Sequence, residues 1–174
     1  MRKAFTLIEM LISVVILSIM MLFLYQSYSS LNRSNIFYKE KAQKISVEQI
    51  KKRVMYLDFA LALSDSIRIE NQDKHEDVLF MQSANSIHRR HNPYISYIVK
   101  EHKLYRLESL NKILEYPLGN DDEFTVDYMG EVEDFRVYKT LNKVGDTIPQ
   151  IYLLNVNFKE ENDILLKIKV LNDY

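Results

Sequence analysis

The chain contains no cysteine and no tryptophan, and only three glycines and three prolines among 174 residues. Without cysteine there are no disulfides, thiolate metal sites or thiol nucleophiles, although an oxidising compartment is not thereby excluded. So few glycines and prolines leave little room for flexible linkers or low-complexity segments. A formal net charge of −1 gives no polybasic signature for nucleic acid, an acidic substrate or a membrane surface. No repeat of solenoid period is present, and the length suits one globular domain plus one further element.

Charge is also missing locally. From Phe5 to Leu24 run twenty residues in which Glu9 is the only charged side chain. As a helix rising about 1.5 Å per residue, such a run spans roughly 30 Å, the hydrocarbon thickness of a bilayer. A cleavable secretory signal has an apolar region of about 7 to 15 residues and a small-residue cleavage site. The run here is longer, and LFLYQSYSSL (22–31) offers no A-x-A site. Arg2 and Lys3 precede it, so the positive-inside tendency predicts a cytoplasmic N-terminus with the remainder outside.

Glu9 requires its own account, because an acid at mid-membrane depth costs about 2.5–3.5 kcal/mol on insertion scales and less near an end. One explanation is local. Thr6-Leu7-Ile8-Glu9 fits the S/T-x-x-E capping box, where the acid returns to the N–H of the capping residue and meets the positive end of the helix dipole. That leaves the small Ala4 and the basic pair before it unexplained.

Lys3-Ala4-Phe5-Thr6-Leu7-Ile8-Glu9-Met10-Leu11, with the uncharged run to Leu24, resembles the type III signal of type IV pilins and of the pseudopilins of type II secretion. The resemblance implies that prepilin peptidase cuts between Ala4 and Phe5, that Phe5 becomes N-methylated, and that Glu9 is the fifth mature residue. The family usually has glycine before the cut, where this chain has Ala4. The resemblance also implies that Glu9 pairs with the N-terminal ammonium of a neighbouring subunit. An out-of-register subunit would then leave both charges unmatched in a low dielectric.

No Gly or Pro occurs between Met1 and Asn92, so the helical pattern is expected to continue beyond the span. Val47, Ile50, Val54, Leu57 and Leu61 recur in three- and four-residue steps and predict one buried face, a coiled coil being the alternative. The polar stretch Tyr25 to Lys44 is where bending is expected. The period then changes to two. Tyr152–Phe158 and Ile164–Val170 form the clearest predicted hairpin, with Pro149 before it. Val78–Met81, Tyr94–Val99 paired with Leu104–Leu107, and Val132–Tyr138 are the earlier candidate strands.

The expected fold is therefore α+β and pilin-like, a long N-terminal helix with a membrane-spanning first half packed on an antiparallel β-sheet head. The expected divisions are a leader at 1–4, a membrane or filament-core helix at 5–24, its extracytoplasmic continuation at 25–64 and a β-rich head at 65–174. The order Phe135-Arg136-Val137-Tyr138, loop, Pro149 and closing hairpin is similar to J-type minor pseudopilins and some minor pilins.

The remaining polar clusters carry weaker expectations. His88-Arg89-Arg90-His91 has only two imidazoles beside repelling guanidiniums, which is poor for a metal. Arg89 and Arg90 are candidate nucleic-acid contacts with Tyr94 and Tyr97 as stacking faces, set against a plain solvated loop. Asp121, Asp122 and Glu123 could supply calcium oxygens, but without EF-hand spacing they read first as a polar turn. No G-x-S-x-G, H-E-x-x-H or Gly-rich phosphate loop is present, so no enzyme and no cofactor are expected. The implied partners are other pilins or pseudopilins, prepilin peptidase, an inner-membrane assembly platform and membrane lipid, with nucleic acid not expected. The implied place is the bacterial inner membrane, single-pass, with a periplasmic head. A minor pseudopilin of type II secretion is the leading expectation. A minor pilin of a type IV pilus or DNA-uptake machine comes next, then a signal-anchored binding domain that never polymerises.

Overall fold

A computed structural model describes residues 6–113, 116–117, 123–140 and 150–171. The chain divides into two compact units, residues 1–47 and 48–174. One helix, α1 (Leu7–Ala60), crosses that boundary without interruption. The polar stretch 25–44 is helical throughout, because it contains no Gly or Pro and all its Ser and Asn residues except the half-buried Ser29 are exposed. In the first unit almost every described side chain is exposed, including the whole apolar run from Leu7 to Leu24.

The second unit begins with the last turns of α1. A short 3-10 turn (Ser64–Ser66) leads into seven strands: β1 (Arg68–Asn71), β2 (Asp77–Gln82), β3 (Tyr94–Lys100), β4 (Lys103–Ser109), β5 (Thr125–Lys139), β6 (Ile151–Phe158) and β7 (Ile164–Lys169). Each pairs antiparallel with the next, giving the order β1-β2-β3-β4-β5-β6-β7. The expected α+β arrangement of a long helix packed on an antiparallel sheet is what the chain adopts. The predicted 94–99 and 104–107 pair is β3 and β4, and the predicted closing hairpin is β6 and β7.

Two strands differ from expectation. The short, half-polar β1 carries no clear alternation. β5 starts seven residues before Val132, because Asp127, Glu131 and Glu133 interrupt the apolar pattern of its first half. Its first half pairs with β4 and its second half with β6. Register shifts at Leu104/Tyr105 against β5 and at Val132/Asp134 against β6 insert extra residues and bend it. The sheet curls as a result. The start of β2 meets the second half of β5 through a parallel bridge between Glu76 and Phe135, with the Phe135 N–H on the His75 carbonyl at 2.9 Å.

The core lies mainly between the last turns of α1 and one sheet face. Met55 and Phe59 sit among Leu79, Ile95, Tyr97, Phe135, Tyr152 and Leu154. On the opposite face Val78, Phe80, Ile98 and Leu107 are covered by Ile113, with Tyr116 and Phe124 against them. Burial on both faces is why Val78-Leu79-Phe80-Met81 reads as a continuous apolar run.

The predicted helical stripe is corrected by about one residue of rotation. Val47 and Ile50 are 45% and 59% exposed, and Val54, Leu57 and Leu61 are only half-buried. The fully buried positions of the helix are Met55, Asp58, Phe59 and Ala60. Apolar periodicity misplaces the face because its centre includes a carboxylate. Past the helix end, the Leu171 N–H donates to the Ala60 carbonyl and the Ala84 N–H to the Leu61 carbonyl, so late helical acceptors are satisfied without a C-terminal glycine.

Gly130 lies at the first bulge of β5 with φ +138°, and a Cβ there would come 2.9 Å from Cε1 of Phe158. Gly130→Ala is expected to destabilise the head by about 1–3 kcal/mol through backbone strain. Urea unfolding of the full chain in detergent, followed by tyrosine fluorescence, checks this.

Candidate functional site

Two acids stand near the two ends of α1, one in each unit. Thr6 precedes the helix and Glu9 is its third residue. The Glu9 Oε2 accepts both the Thr6 N–H and the Thr6 hydroxyl, each at 2.9 Å. The return half of the capping box is therefore formed, with the Thr6 hydroxyl bonded to the carboxylate. Further along, the Ser13 hydroxyl donates to the Glu9 carbonyl at 2.7 Å and the Ser18 hydroxyl to the Val14 carbonyl at 2.8 Å. Polar groups in the apolar run thus find partners within the helix, as a hydrocarbon environment demands. An 18-residue window of the helix has a mean hydropathy of 2.7, enough by length and composition to cross a membrane.

Ala4 and Phe5 lie outside the described residues, as do Asp121 and Asp122. Glu123 is exposed, and its backbone carbonyl accepts the Ser109 hydroxyl at 2.7 Å. Arg89 is exposed, with φ 59°. Arg90 is half-buried, and its guanidinium donates to the Glu108 carbonyl and to the Thr125 hydroxyl at 2.8 Å. His88 reaches Asp127 at 3.0 Å while His91 points to solvent. The basic tetrad is consequently divided between structural and exposed roles. Tyr97, read from the sequence as a stacking face, is buried with its hydroxyl on Asp58 at 2.7 Å.

That tyrosine belongs to a network that sequence reasoning missed. Asp58, in the last turns of α1, receives Arg106 of β4 through Nε at 2.7 Å and Nη2 at 3.1 Å, and the Asn85 amide at 2.6 Å. Arg106 also reaches Glu108 at 2.8 Å and Asp127 at 3.2 Å. Asp58, Arg106 and Glu108 are all fully buried. Ser86 and the Ile87 N–H complete the shell of Glu108.

The electrostatics follow from burial set against pairing. Burial is the largest influence on Asp58 and raises its pKa, with Arg106, Tyr97 and Asn85 pulling the other way. Burial pulls the Arg106 pKa down, but bonding to Asp58 and Glu108 outweighs this and keeps the guanidinium charged. Burial likewise raises Glu108, yet Ser86, Arg106 and the Ile87 N–H together hold it below the ordinary carboxylate range. Burial and the Asp58 charge push the Tyr97 hydroxyl well up, so it stays a donor. The signal available in the sequence was Asp58 itself, one charge inside the helical face next to Phe59.

These features define an α+β chain whose long helix carries an apolar, exposed first half, long enough to cross a membrane, and ends in a compact head. Residues 1–25 match the family described as the prokaryotic N-terminal methylation motif, the signal of type IV pilins and pseudopilins. The match supports a type IV pilin-like protein processed by prepilin peptidase, and with the long apolar helix it fits anchoring in the inner membrane. No curated protein and no solved structure matches the chain.

Arg106→Met, which leaves Asp58 and Glu108 buried without their counter-charge, is expected to cost about 3–5 kcal/mol in unfolding free energy. Because the folded pKa of Glu108 is lowered, its contribution is present above the unfolded value near 4.5 and is lost as pH falls through the folded value. Asp58, raised on folding, acts in the opposite sense. Glu108→Gln should therefore flatten the loss of urea stability below about pH 4.5, which unfolding midpoints from pH 3 to 7 would reveal. An unchanged acid slope would exclude Glu108 as its source.

Proposed function

We propose that this chain is a minor pseudopilin, a structural subunit near the tip of a type II secretion pseudopilus rather than an enzyme. The observation that carries this reading is the methylation signal running without a break into α1, whose last turns pack on the head. In this reading peptidase cleavage between Ala4 and Phe5 frees an ammonium, Phe5 is methylated, and the exposed first half of α1 packs in the filament core. The head then faces the periplasm and contacts other minor subunits or cargo.

Glu9 sets the register of addition. Its bonds to Thr6 hold the carboxylate at the helix start, where an incoming ammonium can meet it. A subunit displaced along the filament leaves that charge unmatched, which low dielectric makes costly. The acid works by docking and performs no proton transfer.

Mass spectrometry of the protein from its own host tests the processing step. A mature chain beginning at N-methyl-Phe5 is expected, and an intact Met1 terminus in peptidase-competent cells would instead indicate a non-polymerising anchored domain. Glu9→Gln keeps a neutral capping group, so membrane insertion should persist while incorporation into filaments falls at least roughly tenfold, the scale of one lost charge-assisted contact. Undiminished incorporation would sink the register role. Loss of exoprotein secretion on gene deletion supports the secretion assignment, whereas loss of pili or of DNA uptake would transfer the chain to those machines.

A further inference from the structure

The sheet face turned away from α1 holds a cavity of about 460 Å³, a size typical of small-molecule sites. Its floor is built by register. Arg68, Phe80 and Ser96 pair in one row across β1, β2 and β3, and Gln82 pairs with Tyr94 in the next row on the same face. The 3-10 turn Ser64–Ser66, together with Lys112 and Ile113, completes the walls.

Several polar groups of this cavity are already committed. The Ser66 hydroxyl accepts the Gln82 N–H at 2.8 Å and donates to the Leu63 carbonyl at 2.7 Å. Arg68 pairs with Glu70 at 3.1 Å, and its Cζ lies 4.7 Å from the centre of the Phe80 ring, so it acts as a wall that covers that ring. The floor is different. Ser96 is fully buried, and its hydroxyl has no hydrogen-bond partner among the described residues. Its neighbours on that face are Phe80, Tyr94, Ile98 and Leu107, and none of them answers it. A buried hydroxyl left in this way is costly, and a ligand atom on the cavity side relieves it.

Charge restricts what that ligand is. Asp65 and Lys112 are exposed, opposite in sign and unpaired with any described residue, so an ion of either sign meets a like charge as well as an opposite one. An ion seated over Ser96 would also be desolvated against one neutral hydroxyl and apolar side chains. The main chain of Phe80 and of Ser96 is paired on both sides, so the floor offers no strand edge to an extended peptide. What remains open is a set of side-chain groups. The Gln82 amide nitrogen donates to the Asn92 carbonyl at 3.1 Å, which leaves its oxygen as an acceptor. Asp65 accepts, Lys112 donates, and Ser96 does either. Beside them stand the half-buried Tyr94 ring and the buried Ile113.

We propose that this cavity binds a neutral sugar ring. The Ser96 hydroxyl bonds one sugar hydroxyl, Gln82 and Asp65 accept from others, and Lys112 donates to one of them. Tyr94 and Ile113 pack against the C–H face of the ring. A hydroxyl both gives and accepts, which is why a polyhydroxyl ring answers this mixed set where a simple ion or a purely apolar group does not. This goes beyond the filament reading and depends on neither Glu9 nor processing.

The test uses the full chain, labelled with nitrogen-15, in a detergent without a sugar headgroup, titrated with maltose, cellobiose, lactose and N,N′-diacetylchitobiose. At least one of these should shift the amide signals of Phe80, Gln82, Tyr94 and Ser96 to saturation while those of Tyr152–Phe158 stay in place. Ser96→Ala should lower its affinity roughly tenfold, the scale of one lost hydrogen bond. In the free chain the same change should leave the urea midpoint level or raise it, because no internal bond is lost. Asp65→Ala, an exposed change that spares the fold, should weaken binding as well. Binding of none of the four sugars, or undiminished binding to Ser96→Ala, would overturn the proposal. So would a lower urea midpoint for Ser96→Ala in the free chain, which would mean that a held water already satisfies the hydroxyl. An equal response of the same signals to sodium acetate or to glycine would make the cavity an ion or amino-acid site and overturn it equally.

Discussion

Arg106 is withdrawn from water in the middle of the head, and the position of the helix depends on how that charge is answered. Asp58 meets it with two hydrogen bonds from the last turns of α1, while Glu108 and Asp127 meet it from β4 and β5. A single buried guanidinium so links the helix to the two strands beneath it. Apolar contacts alone tolerate several rotations of a helix on a sheet. Asp58 can reach Arg106 at only one of them, and this rotation turns Met55 and Phe59 inward and leaves Ile50 and Tyr56 outward. The pair is not strong evidence of net stability, since desolvating both charges offsets much of their attraction. Its consequence is geometric.

The same rule, that a charge in an apolar setting must be met, governs the start of the helix. Glu9 stands in a run otherwise fit for hydrocarbon, and Thr6 supplies both the donors that hold it. The solution there is local, within one turn. Asp58 instead needs a residue 48 positions away in the chain. Local capping tolerates Glu9 without consuming its charge, which is why a docking role for that charge is compatible with the geometry. At Asp58 the charge is used up inside the head.

The curl of the sheet depends on β5. A fifteen-residue strand serves two neighbours in turn, and its two bulges turn it between them. Gly130 sits at the tighter of these places, close against Phe158. The bend brings β2 to the second half of β5, where Asp77 caps a strand N–H with a side chain.

Local order was legible in the sequence wherever one physical signal dominated. Twenty residues with one charge specify a membrane-length helix, because hydrocarbon tolerates little else. Thr6 and Glu9 specify a capped start because their spacing is a single turn. Strict alternation at 152–158 and 164–170 specifies a hairpin, since one face is core and the other solvent. The tertiary structure decided what depends on residues far apart. The buried face of α1 could not be read from apolar spacing, because Asp58 belongs to that face only when Arg106 arrives from β4. The full extent of β5 was hidden because its acids are tolerated by a bent strand with two different neighbours. The meeting of β2 with the second half of β5 depends on bulges whose effect no short stretch of sequence contains.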